Sequence, residues 1–353
     1  MPTLITPRSR GLSLVTALTL SGTLAASTPV SAQAGPARTN GCIRSIAPVP
    51  GATDTPFGIT AGPGGTWYGS GQFLVQVRPN GRSRSFTVQH PEVADVGFMT
   101  TDGIATWFVD QAGGYVGRID GAGHLTEWAV PPSDAGVSPN GLIVAGRIVW
   151  FTDSTGNRIG RLDPSTGTFT MYAVPTAGGF PLGITIGPEG DIWFLERTAG
   201  KVARMTPSGT FTEWGLVPGA RPNRIVVGPD GALWFTELGG NRMGRITTSG
   251  HLTEFPVLHA PADAGGPVGL TVGPAGALYA ALFTIDGPDY VARFDLAGNV
   301  THAWRVPGAL ILATSQGAVW ATDPFADTIT RLRPQCRAPE GPHGSSPAGM
   351  SER

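Results

Sequence analysis

Hydrophobic and polar positions alternate in short runs along most of this chain. Segments of four to eight residues, rich in Val, Ile, Thr, Trp and Phe, are separated by Gly-containing turns about every ten residues. Alternation with period two over such lengths predicts half-buried strands, and the Gly turns bound them. No segment carries the longer 3.6-residue periodicity of an amphipathic helix. The runs also recur as a unit. A Gly turn leads into an apolar triplet with Trp, then an acid, a Gly/Asn turn, G-R-I, another Gly turn and T-E-aromatic. Two copies are Gly228-Pro-Asp-Gly-Ala-Leu-Trp-Phe-Thr-Glu237 with Gly244-Arg-Ile246, and Gly187-Pro-Glu-Gly-Asp-Ile-Trp-Phe-Leu-Glu196 with Ala203-Arg-Met205.

The anchor aromatics are Trp67, Trp107, Trp150, Trp193, Trp234, Tyr279 and Trp320, spaced by 40, 43, 43, 41, 45 and 41 residues. Four short strands per ~40-residue unit make a propeller blade. The expected fold is therefore an all-β, seven-bladed β-propeller with four-stranded blades. The last unit supplies three strands, at about 309–314, 318–322 and 328–333. The unassigned segment at about 43–49 is expected to close the ring as that blade's outer strand. Cys42 and Cys336, the two cysteines of the chain, flank that junction and are expected to form a disulfide across it.

Composition fits this reading. Gly 52 and Pro 32 in 353 residues would suit a disordered chain, but 9 Trp and 15 Phe would not. The net charge of −1 excludes a basic surface for nucleic acid. Residues 1–34 read as a signal peptide: Arg8 and Arg10, a short apolar run, then small residues around Ala32 and Ala34. That run is too short to span a membrane, and no other candidate span exists. A secreted or periplasmic protein is expected, with a linker at 35–41, the propeller at 42–336 and a disordered tail at 337–353. Nothing signals oligomerisation, so a monomer is expected.

Features present in every blade serve the fold. The anchor is expected to fill the space between blades, and the Arg eleven residues later (Arg118, Arg161, Arg204, Arg245, Arg331) to pair with acids or carbonyls. The acid three residues after the anchor ends the second strand, beside the start of the innermost strand. Asp153, Glu196, Glu237 and Asp323 are thus candidate ligands for a hard cation, Mg or Ca, at one channel mouth. Asn140 and Asn223 open inner strands there. His259, in a Pro-rich link between units, is the one histidine placed to reach it. The mouth is the default site for a small molecule or protein. No His pair has metal-ligand spacing, and no G-x-S-x-G or phosphate-binding loop is present.

The G-P-D-G-x-L-W-F-T-E, G-N-R-x-G-R-I and G-x-L-T-E-F elements resemble the streptogramin lyases, the virginiamycin B lyase family. The resemblance covers nearly the whole chain after the leader. It implies a seven-bladed propeller and Mg²⁺-assisted, His-based elimination across an ester of cyclic depsipeptide antibiotics. Those members carry Glu-Pro-His opening the last blade, a Glu ending its second strand, and a His opening the preceding blade. Here 305–311 reads Arg-Val-Pro-Gly-Ala-Leu-Ile. The His slot falls on Ala309 or Leu310, the Glu slot on Pro307 or Gly308, and the preceding blade opens with Val268. Asp323 is the partial match. The expectation is a ligand- or partner-binding propeller without the family's catalytic set, so no catalytic residue is assigned. The alternative is a divergent metal-dependent lyase, or a hydrolase like the gluconolactonase propellers.

Overall fold

In the computed structural model, residues 42–46, 56–257, 264–284 and 289–335 are described. They form seven separate four-stranded antiparallel sheets arranged as blades. The innermost strands are Pro56–Gly62, Val96–Thr101, Pro139–Ala145, Pro181–Ile186, Pro222–Val227, Ala264–Val272 and Leu312–Ser315. The ring closes as expected. Ile43–Ile46 pairs antiparallel with Thr328–Leu332, in the order β(43–46), β(328–332), β(318–323), β(312–315). Cys42 is buried, and its carbonyl accepts the Arg333 amide at 2.8 Å. Cys336, the signal peptide, the linker, His259 and the tail lie outside the described residues. Among the described residues no helix is long and apolar enough to cross a membrane.

Six of the seven blades are held by a layered aromatic stack. The anchors are buried to between 0 and 5% exposure. An aromatic of the outermost strand lies over the anchor, as in Trp193–Trp214 at 5.3 Å and Trp234–Phe255 at 5.6 Å. The arginine eleven residues on sits directly opposite its anchor on the third strand. It lies against the anchor ring, which the sequence reading did not foresee, and in blades four and five it also meets the acid or carbonyl that was expected. Guanidinium-to-ring distances run from 5.6 to 6.0 Å in five blades, within cation–π range. Arg245 and Arg204 add Asp230 and Asp191. The Gly of G-R-I has a steric reason. A Cβ on Gly117, Gly160 or Gly244 would overlap the ring of Phe108, Phe151 or Phe235 on the neighbouring strand.

Blades are tied to one another near the axis. Thr152 Oγ1 donates to Leu182 O at 2.8 Å, and Thr236 Oγ1 to Val268 O at 2.9 Å. At the same position of the last blade, Thr322 Oγ1 donates to Phe57 O at 3.1 Å and so joins the two ends of the ring.

Candidate functional site

The first strand of each of blades one to six carries a register shift near its start. In blade three, Pro139 pairs with Asp153 but Leu142 pairs with Phe151, leaving Asn140 and Gly141 opposite one residue. Blades four and five repeat this around Leu182 and Asn223. Such bulges bend a strand and re-aim its side chains. In blade seven, Leu310 N donates to Thr322 O and Thr322 N to Ile311 O, with Leu312 opposite Ala321. These bonds align blade seven with the other blades: Leu310 corresponds to Val268, Asn223 and Asn140, and Gly308 stands two residues before it. The ring at this level is Phe57, Gly97, Asn140, Leu182, Asn223, Val268 and Leu310.

Just outside it stands the residue following the acid of each second strand, which the sequence reading passed over. By blade order, one arc of the mouth is polar: Gln111, Asn140, Ser154, Arg197 and Asn223, all at most 8% exposed. Arg197 Nη1 donates to Asn223 Oδ1 at 3.4 Å, and Asn223 Nδ2 to Val268 O at 3.5 Å. Ser154 Oγ donates to Pro181 O at 2.7 Å. Three buried atoms on this arc have no partner among the described residues: Gln111 Nε2, Asn140 Oδ1 and Arg197 Nη2. Burial, and then the charge of Arg221, pushes the Arg197 guanidinium down to about 10. The remaining arc is apolar. Leu238, Val268, Leu310, Phe57 and Phe283 belong to one packed cluster. Phe325, 71% exposed, stacks on Phe283 at 6.3 Å.

The four sequence-predicted cation ligands lie in four different blades; Asp153 and Asp323 are held within their own, while the carboxylate oxygens of Glu196 and Glu237 have no hydrogen-bond partner among the described residues. Asp153 pairs with Arg158 and accepts the Ser138 and Gly156 amides. Asp323 accepts the Phe325 and Ala326 amides, and burial raises its carboxyl. Glu196 and Glu237 are fully buried. Burial first, then the Glu213 carboxylate, pushes Glu196 up to about 7. Burial and the Glu254 carboxylate push Glu237 up to about 8. Among the described residues, no three His, Cys, Asp or Glu side chains are grouped to hold a metal ion.

One step further along the inner strands stand Gly58, Phe98, Gly141, Gly183, Arg224, Gly269 and Ile311. The glycines are required. A Cβ on Gly58, Gly141, Gly183 or Gly269 would overlap the neighbouring blade's Gly97, Leu182, Asn223 or Leu310 carbonyl. The three larger residues enter the axis instead. Arg224 of blade five places its guanidinium 3.3 Å from the ring centre of Phe98 in blade two. Ile311, Phe98, Ile59 and Leu142 pack in one cluster. The channel is crossed below its mouth.

Comparison with known proteins follows this architecture. Residues 72–284, more than half the chain, match the virginiamycin B lyase family. The chain belongs to that family. Among solved structures, a streptogramin B lyase matches at 27% identity and TM-score 0.73, over 82% of this chain and 96% of the other. Virginiamycin B lyase from Staphylococcus aureus matches at 29% identity and TM-score 0.71, over 82% and 98%. A catalytically inactive variant of that enzyme with quinupristin matches at 28% with the same score and coverage. No curated protein matches.

Proposed function

We propose that this family member is a binding propeller whose mouth holds an amphipathic, amide-rich ligand without opening it. The observation that carries this is the split mouth. Gln111 Nε2, Asn140 Oδ1 and Arg197 Nη2, buried and unpartnered among the described residues, stand across from the Val268, Leu310 and Phe57 wall. A buried polar atom without a partner is costly, so two donors and an acceptor on one arc favour a ligand that satisfies them. The apolar wall would receive its hydrophobic face. Where the family resemblance places its two histidines, the general base among them, the chain has Val268 and Leu310. Neither can take a proton, and general-base elimination needs one to be removed. Gly308 stands in the Glu slot and supplies no carboxylate.

The test uses quinupristin, the compound solved with a relative. Titration calorimetry should show binding that weakens at least about tenfold in Arg197→Ala, the loss of one charge-assisted hydrogen bond. Mass spectrometry should recover quinupristin intact. A linearised product would overturn the non-catalytic reading, and absence of binding would overturn the ligand class.

We further read the chain as exported, with Cys42–Cys336 locking the closing strand. Buried Cys42, immediately before the closing strand of blade seven, supports this. Thiol titration of the unreduced protein should then find no free thiol, and two would remove the disulfide.

A further inference from the structure

Below the mouth the crossed channel holds a half-open cavity of about 130 Å³. All seven blades contribute to its wall. Ile59, Phe98, Leu142, Ile184, Leu270 and Ile311 contribute apolar side chains, although polar atoms make up more of its surface than apolar ones. Arg224 is the one charged residue of that lining. Its side chain has no hydrogen bond or ion pair with any described residue; what it has is the ring of Phe98 against one face. Enclosure lowers its proton affinity, with no acid beside it to restore it. Even so, a guanidinium stays charged at any ordinary pH.

We propose that this cavity is a binding site for a small monocarboxylate with an apolar body, held by Arg224. Arg224 is part-buried, and a cation drawn partly out of water with no protein partner for its N–H groups favours a counter-charge. Phe98 covers the guanidinium face and leaves the N–H edge for a planar acceptor. A carboxylate matches that edge with two parallel hydrogen bonds. Phosphate holds its water more strongly than a monocarboxylate and would exchange it here for a single cationic partner, so it is the poorer fit. The volume is near the about 150 Å³ of an apolar cavity that admits benzene, so one ring or a short chain fits. This site is separate from the mouth ligand, and either reading can fail without the other.

The probes are benzoate, its neutral counterpart benzamide, and inorganic phosphate, each followed by calorimetry and thermal melting. Benzoate should bind the wild-type protein and raise its melting temperature. Benzamide and phosphate should bind at least about tenfold more weakly. Arg224→Met should abolish benzoate binding, and Arg224→Lys, which keeps the charge but not the planar fork, should weaken it. Equal binding of benzamide or phosphate would overturn the proposal. So would unchanged benzoate affinity in Arg224→Met, or no benzoate binding at about 10 mM. Should Arg224→Met fail to fold, Arg224→Lys and the three-probe comparison on the wild type decide the matter.

Discussion

Thr322 donates its hydroxyl to the carbonyl of Phe57, 265 residues away, at 3.1 Å. It is a side-chain bond between the last blade and the first, and it acts where the ring would otherwise part. Thr322 is fully buried. Thr322→Val keeps the shape and leaves the Phe57 carbonyl without this donor. The expected loss is about 1 kcal/mol of unfolding free energy, read by urea denaturation. Thr152→Val and Thr236→Val remove equivalent bonds between interior blades and provide the comparison.

Gly244→Ala should be more damaging than a one-carbon change suggests. The new methyl would enter the Phe235 ring, which is fully buried and has no room to retreat. Overpacking of this kind costs about 1–3 kcal/mol. Ala203, the residue at that position of blade four, already faces Phe194 across the same strands. Blade four thus accommodates the methyl, and Ala203→Gly, which only removes it, should cost less, about 1 kcal/mol; thermal melting of both variants checks the contrast.

Stability should fall as pH rises through neutrality. Glu237 keeps its proton in the fold up to about pH 8, because burial and Glu254 disfavour the charged form. In the unfolded chain it releases that proton near the ordinary value of 4.5. The folded state therefore binds more protons between these values, and the contribution, complete below 4.5, is lost as pH climbs through 8. Glu196 acts in the same direction up to about 7. Glu237→Gln imitates the protonated form. Its melting temperature should decline less than that of the wild type between pH 5 and 8, and an identical slope would remove this assignment.

Millimolar Ca²⁺, Mg²⁺ or EDTA should leave the melting temperature where it is. Asp153 is occupied by Arg158, and Asp323 by the amides of its own turn. Glu196 and Glu237 each share their surroundings with a second glutamate inside one blade. A rise with either ion that EDTA reverses would show a cation site at the mouth after all.

The period of the anchors made the blades legible, since a Trp that fills the space between sheets must recur once per sheet. The closing strand was legible because the last unit is one strand short. The bulges were not. They displace Asn140, Asn223 and Leu310 relative to the neighbouring strand, and a register shift leaves no mark in the alternation of a single segment. The arginines of G-R-I were seen as a repeat, but their partner lies across a strand pair, so only the register exposes Trp234 opposite Arg245. Gln111 and Arg197 did carry a signal. The position after the acid reads Gly71, Gln111, Ser154, Arg197, Leu238, Phe283 and Pro324, varied where its neighbours repeat. Phe98 and Arg224 showed the same kind of departure, among glycines at equivalent positions, once the bulge had aligned them.

Seven strands around an axis suggest a tube with two open ends. The contact between Arg224 and Phe98 turns it into a cup with a floor. A molecule held at the mouth must then leave by the face through which it arrived, and the two faces of the ring are free to serve different neighbours.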